Sequence, residues 1–454
     1  MYHISPSRKI ALSFFLIIVA GSILLYLPWL QQPGQHVSFL DCFFTATSAT
    51  CVTGLSSVTI ATAFNNWGHL VIMLLIQFGG LGFMTIMAGF ILLLKNRISL
   101  TQQLAVRDLL NRRGLFNINS FLKEIVLITI FIESFGAVFM SIALIPQFGI
   151  LHGIWQAVFL AVSAFCNAGF DILGSTSLIA YRNNWLICGI VMLLITIGGI
   201  GFAVWYDIKE YYANLRLRRQ KELPRRAWQS LSTHSQIALI ASAVLIVLPA
   251  LLILLQEATN PKTLAGETYG GKILQALFQS VTLRTAGFAS VDIGSLTSAT
   301  KLLMLPVMFI GGSPGGTAGG IKTTTAVLIF CFIISLIKNR AHVSIFKRTI
   351  PTALLHKSLA VGGISVVFLS VSIYLLSLTE TAPIFDLAFE AVSALATVGL
   401  STGITATLSG WGKLIIIILM FAGRIGIVTL IFSLIDPSEV VSRRQYPSGH
   451  VLVG

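Results

Sequence analysis

"SATCVTGLSS", residues 48–57, is a short polar stretch carrying one glycine between two long apolar runs. Three more stretches follow the same pattern: "SAFCNAGFDI" (163–172), "VTLRTAGFAS" (281–290) and "SALATVGLST" (393–402). Each has five residues, then a small or polar one, then Gly, then Leu or Phe. The glycines are Gly54, Gly169, Gly287 and Gly399. Internal repetition of this kind decides the fold before any local motif does.

The flanks repeat as well. A long apolar segment precedes each stretch, at about 8–30, 121–145, 236–256 and 355–378. A shorter, weakly apolar segment leads into it, at about 38–50, 152–165, 270–283 and 383–395. A second long segment follows, at about 67–95, 185–213, 301–338 and 411–435. The second segments carry their own echo: "FGGLGF" (78–83), "IGGIGF" (197–202), "IGGSPG" (310–315) and "AGRIGI" (422–427).

Of the 454 residues, 55% are hydrophobic and 10% charged, where soluble domains carry about 25% charged residues. The chain therefore reads as an all-α integral membrane protein with eight spanning helices, since apolar runs near 20 residues suit helices rather than barrel strands. The first run, "IALSFFLIIVAGSILLYLPWL" (10–30), is too long for the core of a signal peptide and reads as a retained helix.

The net charge is +14, and 22 of the 30 Lys and Arg fall at Arg8/Lys9, Lys95–Lys123, Lys209–Arg226, Lys338–Lys357 and Arg443/Arg444. Alternate connections hold few, among them Arg182, Lys262, Lys272 and Lys301. This asymmetry follows the positive-inside rule. It places both termini in the cytoplasm of a multi-pass cell (inner) membrane protein and makes the bilayer, not nucleic acid, the reason for the charge. The five cysteines form no CxxC pair and read as small packing residues.

A segment of about 13 residues cannot cross ~30 Å of hydrocarbon, so it must enter and return. Irregular backbone at that depth must be buried in protein or line a water-filled path. Four such loops around one axis bring backbone carbonyls to a common centre, where they can replace an ion's hydration shell. The short helices also aim their negative ends there. The chemistry implied is cation permeation through a central pore. The domain reading is 1–95 for repeat 1, 96–213 for repeat 2, 214–338 for repeat 3 with a broken second helix, and 339–454 for repeat 4 with the tail.

The break in repeat 3 is "GGSPGGTAGGIKTTT" (311–325). It looks like a phosphate loop, but Ile321 separates Gly320 from Lys322, so the P-loop register fails. No nucleotide is expected on this chain, and no enzymatic activity. Pro314 and the glycines prevent a continuous helix.

With four pore-loop repeats, "TLRTAGF" and "GGSPGGTAGGIKTTT", the chain resembles the Trk/Ktr/HKT potassium transporters, over essentially its whole length and more in the manner of the KtrB type. The resemblance implies K⁺ as the transported ion, with Na⁺ as a coupled or permeating ion. It implies a homodimer with one pore per subunit, on a cytosolic, nucleotide-binding, KtrA-like ring of RCK-type subunits. The implied selectivity filter is Cys51, Val52, Thr53 and Gly54; Cys166, Asn167, Ala168 and Gly169; Thr285, Ala286 and Gly287; and Thr397, Val398 and Gly399. In this family a Ser in place of the first-repeat Gly goes with sodium permeation, so Gly54 points to K⁺. The implied gating loop is Gly311, Gly312, Ser313, Pro314, Gly315, Gly316, Thr317, Ala318, Gly319, Gly320 and Lys322.

Charges at membrane depth are costly and usually functional. Arg424 occupies the place of Gly80 and Gly199 in their echoes, so it is expected at the axis. There it opposes a cation, anchors the gating loop's carbonyls, or pairs with an acid such as Glu390. Arg284 in the third filter segment is expected to point backward as filter support. Lys322 either snorkels to the cytoplasmic interface or contacts the loop. Asp171 and Asp292 are expected on the outer side, and Glu133 inside the bundle without an evident partner. Repeats that all begin and end inside are parallel, which disfavours a transporter built on inverted repeats.

Overall fold

The computed structural model describes residues 6–94, 118–174, 176–218 and 228–434. Each repeat contains an outer helix, a short pore helix and an inner helix. The outer helices are Pro6–Tyr26, Ile118–Phe148, Thr233–Glu257 and Thr352–Thr379. All four are long and apolar enough to cross a membrane, and each buries a third or less of its spanning residues. Leu16, Phe131, Leu255 and Val367 are more than half exposed on them. An apolar helix whose apolar surface is left open is one that lipid covers.

The pore helices are Phe39–Cys51, Ile150–Cys166, Tyr269–Thr282 and Ile384–Leu395. Their C-terminal halves are buried, with every residue of 44–51, 159–166, 278–282 and 389–395 withdrawn from solvent. The apolar clusters join neighbours in a ring. One gathers residues of repeats 1, 2 and 3, a second those of repeats 3 and 4, and a third closes repeat 4 onto repeat 1. Ion pairs follow the same order. Lys413 Nζ lies 2.6 Å from Asp41, joining repeats 4 and 1, and Arg182 lies 2.7 Å from Glu267, joining repeats 2 and 3.

The inner helices begin alike. Asn65 accepts the N–H groups of Trp67 and Gly68, Asn184 those of Leu186 and Ile187, Thr297 that of Thr300, and Ser409 that of Gly412. Each cap satisfies a donor the helix itself cannot use. In repeats 3 and 4 an acid at the end of the outer helix also serves the next helix start. Glu257 accepts from Thr297 N at 2.9 Å and Glu380 from Ser409 N at 3.2 Å.

The inner helices depart from the sequence expectation, which placed a break in repeat 3 alone. Repeat 1 kinks at Gly82 (φ 64°, ψ −159°) within Asn66–Leu94. Repeat 2 splits at Gly201 (φ 98°) into Trp185–Ile200 and Phe202–Arg218, bent by 88°. Repeat 4 splits at Gly426 (φ 92°) into Gly410–Ile425 and Ile427–Leu434. These are the last glycines of the three echoes, and a positive φ is open to Gly because it has no Cβ. Repeat 3 opens wider, between Ser298–Phe309 and Thr323–Ile337. Among the described residues the four outer helices are thus continuous and the four inner ones interrupted.

A two-stranded hairpin, Ser344–Ile345 against Arg348–Thr349, lies in the basic link between repeats 3 and 4. The basic residues of 95–117 and 219–227, the tail with Arg443 and Arg444, and the expected boundary at 95/96 lie outside the described residues.

Candidate functional site

Four glycines from four repeats meet in a ring. A methyl group added to Gly54 would lie 2.6 Å from Ala168 O, one on Gly169 2.7 Å from Ala286 O, and one on Gly287 2.7 Å from Val398 O. One on Gly399 would overlap Thr53 O, which returns the circuit to repeat 1. The order around the axis is therefore 1, 2, 3, 4, and each glycine faces its neighbour's backbone too closely for any other residue. All four line an outer cavity of about 380 Å³.

The strands entering the ring share one conformation. Val52, Asn167, Thr285 and Thr397 have φ of 56°, 59°, 65° and 52°, and each ring glycine two residues later is again positive, from 71° to 96°. A left-handed residue on the C-terminus of a helix reverses the chain while keeping its last carbonyls bonded. Thr53 N bonds Ser48 O, Ala168 N bonds Ser163 O, and Val398 N bonds Ser393 O, at 2.7–2.8 Å. Ser48 and Ser393 then accept the N–H of Gly54 and Gly399 through their hydroxyls, each at 3.1 Å. Repeat 3 has Val281 in that place and uses Thr282 instead, whose hydroxyl donates to Phe288 O at 2.7 Å.

The first glycine of the inner-helix echo has a matching task. A methyl on Gly79, Gly198 or Gly423 would overlap the carbonyl oxygen of Thr50, Phe165 or Leu395, the last turn of the pore helix in the same repeat. In repeat 3 the same substitution at Gly311 meets Gly319 O of the broken segment.

That segment packs on the side of the ring opposite the outer cavity. Thr317 donates its hydroxyl to Phe165 O at 3.0 Å, and methyl groups on Gly319 and Gly320 would meet Thr397 Oγ1 and Ala396 O. Ser313 N and Thr317 N donate to Gly199 O and Gly198 O at 3.0 and 3.2 Å, and Phe202 N donates to Gly315 O at 3.0 Å. Gly312 O takes Thr323 N at 3.0 Å, and the Ser313 and Thr323 hydroxyls lie 3.0 Å apart. Pro314, Gly316 and Ala318 belong to the same loop. Ala318 O accepts from Lys322 Nζ at 2.7 Å, so Lys322 contacts the loop.

Arg424 is anchored on the loop's far side. Its guanidinium donates to Thr317 O on one hand, and to Gly79 O and Gly80 O on the other. Glu390 does not pair with it. That acid accepts instead from Thr405, while backbone carbonyls of repeats 1 and 3 satisfy the arginine. Arg284 is 3% exposed and turns outward to Ser242 of the outer helix at 2.9 Å. Glu133 gains a partner the sequence did not suggest, Gln77 Nε2 at 3.1 Å, with Cys166 Sγ 3.9 Å away. Asp171 lines the outer cavity, and burial pushes its carboxyl up to about 6. Asp292 closes a turn with Gly294 and Ser295.

A sequence family described as TrkH, cation transport protein, matches residues 7–444. The chain belongs to this family. As a TrkH-family cation transport protein it is not an enzyme. It is 38% identical over 457 residues to the potassium/sodium uptake protein NtpJ of Enterococcus hirae, covering 100% of this chain and 98% of that protein. It is 37% identical over 450 residues to the Ktr system potassium uptake protein B of Bacillus subtilis, covering 99% and 97%. Its fold is similar to that of the potassium transporter TrkH from Vibrio parahaemolyticus, with a TM-score of 0.75 at 19% identity, covering 96% of this chain and 86% of that one.

Proposed function

We propose that this chain is the ion-translocating subunit of a Ktr-type K⁺ uptake system. The observation that carries the proposal is the ring of Gly54, Gly169, Gly287 and Gly399, each within contact of a neighbouring carbonyl. Carbonyl rings exchange for a cation's water shell with little cost when they are already in place. Residues 51–54, 166–169, 285–287 and 397–399 then form the selectivity filter, with Arg284 holding the third strand from behind. The segment from Gly311 to Thr323, clamped by Arg424 and Lys322, is the gate on the inner side. Opening it means exchanging its bonds to Gly198, Gly199 and Arg424.

In this reading each repeat boundary falls at a basic cluster, and both termini lie in the cytoplasm. The basic clusters of the sequence suit a cytosolic ring of nucleotide-binding RCK-type subunits, and the protein works as a homodimer. The naming of its relatives as Ktr-system components supports a multi-subunit assembly. Na⁺ acts with K⁺ as activator or coupled ion. A second reading, a channel that passes Na⁺ and K⁺ without a partner, is favoured by the description of NtpJ as a potassium/sodium uptake protein. Uptake of Rb⁺ into proteoliposomes, with K⁺ or Na⁺ as competitor and with or without the cytosolic ring, separates the two. K⁺-preferring flux enhanced by the ring supports the first reading. Equal flux of both ions, indifferent to the ring, supports the second.

A further inference from the structure

Glu390 lies in the pore helix of repeat 4 and is 0% exposed. Nine residues before the ring glycine, the other repeats carry Thr45, Leu160 and Phe278, so the acid is particular to repeat 4. It makes no ion pair among the described residues. One oxygen accepts the Thr405 hydroxyl, and the other, Oε2, has no partner among the described residues. The Thr405 oxygen also lies 2.9 Å from Ser401 Oγ, which in turn accepts Gly403 N at 2.9 Å. An ionisable group buried with half its acceptors unused is costly, and such a group calls for an explanation.

Its position supplies one. Glu390 belongs to the helix that enters the filter, and Ser401 and Thr405 belong to the segment that leaves it. Ser401, Gly403 and Thr405 all line the outer cavity. Ser393, one turn further along the same helix, holds Gly399 N. The two side chains thus tie the strand 396–399 at its far end and beyond it to the helix from which it started. A displacement of Thr405 would pass to Gly399 through only the residues between them, and Gly399 touches Thr53 across the ring junction.

We propose that Glu390 is a positioning residue that sets the ion selectivity of this pore through its hydrogen bond with Thr405. The proposal rests on the filter reading above. Glu390 does not touch the ion. It fixes the exit segment so that the fourth strand keeps the spacing that suits one cation over another.

The test is competition of K⁺ and Na⁺ against Rb⁺ uptake by the full chain in proteoliposomes, with Gly54→Ser measured in the same series. Thr405→Val removes one hydroxyl at constant side-chain shape and should reduce the K⁺ preference about tenfold, the order expected for a hydrogen bond to a carboxylate. Thr405→Ser should restore it. Glu390→Gln keeps an oxygen that can accept the same hydroxyl and should stay near the wild-type ratio, while Glu390→Ala should fall as far as Thr405→Val. The double variant Glu390→Ala/Thr405→Val should fall no further than either single change. If Glu390→Ala does not reconstitute, the Thr405 pair decides alone. A Thr405→Val chain that loses total flux at an unchanged ion ratio overturns the proposal. So does a Glu390→Gln chain as unselective as Glu390→Ala, which would make charge the agent. Failure of Gly54→Ser to alter selectivity would instead contradict the filter reading itself.

Discussion

Gly399 approaches Thr53 so closely that a single added methyl group would overlap the Thr53 carbonyl oxygen. These residues belong to the last and first repeats, so their contact closes the ring. It makes the ring a joint property of the four repeats, with no repeat able to form it alone. Packing at backbone contact leaves neighbours no side chain to move aside.

Arg424 should hold the loop shut. It bridges Thr317 O to Gly79 O and Gly80 O, three acceptors on two segments. Bonds from a charged donor are worth about 1.5–3 kcal/mol each, so losing the loop's share should raise resting flux about tenfold in Arg424→Ala. Arg424→Lys has one ammonium where the bridge needs a fork, and should fall between. Rb⁺ efflux from proteoliposomes that hold this chain alone measures this. Unchanged efflux in Arg424→Ala would remove the arginine from the gate.

Glycines of the inner helices should divide sharply by position. Gly423→Ala drives a methyl into Leu395 O, a backbone atom that cannot rotate away. Overpacking of this kind costs about 1–3 kcal/mol. Gly189 sits in the repeat 2 inner helix with nothing within 4 Å of an added methyl, so Gly189→Ala should be neutral or gain up to about 1 kcal/mol from helix propensity. Thermal melts of the purified protein, followed by size-exclusion chromatography, compare them. Equal melting of the two would contradict the close contact at Leu395.

The serines behind the ring should be unequal. Ser393→Ala and Ser48→Ala strip the acceptor from Gly399 N and Gly54 N, and a buried donor left unpaired costs about 1–3 kcal/mol. Ser163 Oγ has no partner among the described residues, so Ser163→Ala should be mild. The K⁺/Na⁺ competition ratio is the readout, and a larger loss in Ser163→Ala than in Ser393→Ala would contradict the account.

Much of this arrangement was legible in the chain, for a definite reason. The stretches at 48–57, 163–172, 281–290 and 393–402 repeat at similar distances from "FGGLGF" and its echoes, so four copies of one unit were visible before any contact was known. The place of Arg424 followed from its alignment with Gly80. Its partners did not, because carbonyl oxygens are common to every residue and leave no mark on a sequence. The kinks at Gly82, Gly201 and Gly426 escaped for a related reason. Gly is compatible with both a helix and a left-handed break, and tertiary contact decides between them. Gln77 and Glu133 lie on different repeats, and their pairing needed the packing of repeat 1 on repeat 2 to be known. The Glu390 oxygen with no partner among the described residues is likewise a property of three dimensions alone.

Asp171 should make uptake sensitive to outside pH. It is half-buried at the outer cavity, and burial raises its carboxyl to about 6. A raised acid is neutral below that value and charged above it. The negative charge that draws cations to the mouth is therefore present at pH 7 and lost as pH falls through about 6. The KM for K⁺ should rise over that window with little change in maximal rate, and Asp171→Asn should show the high value throughout. A pH profile of Rb⁺ uptake, with external pH varied alone, decides it. An unchanged profile in Asp171→Asn would assign the titration to another group.

The central claim is that Gly54, Gly169, Gly287 and Gly399 together form one cation-selecting ring. Its most direct test is the K⁺/Na⁺ competition ratio of Rb⁺ uptake for four single Gly→Ser variants in proteoliposomes. The account predicts that every one of the four loses K⁺ preference, because each added side chain meets a neighbour's backbone. Wild-type selectivity in any variant that still reconstitutes and transports would contradict it.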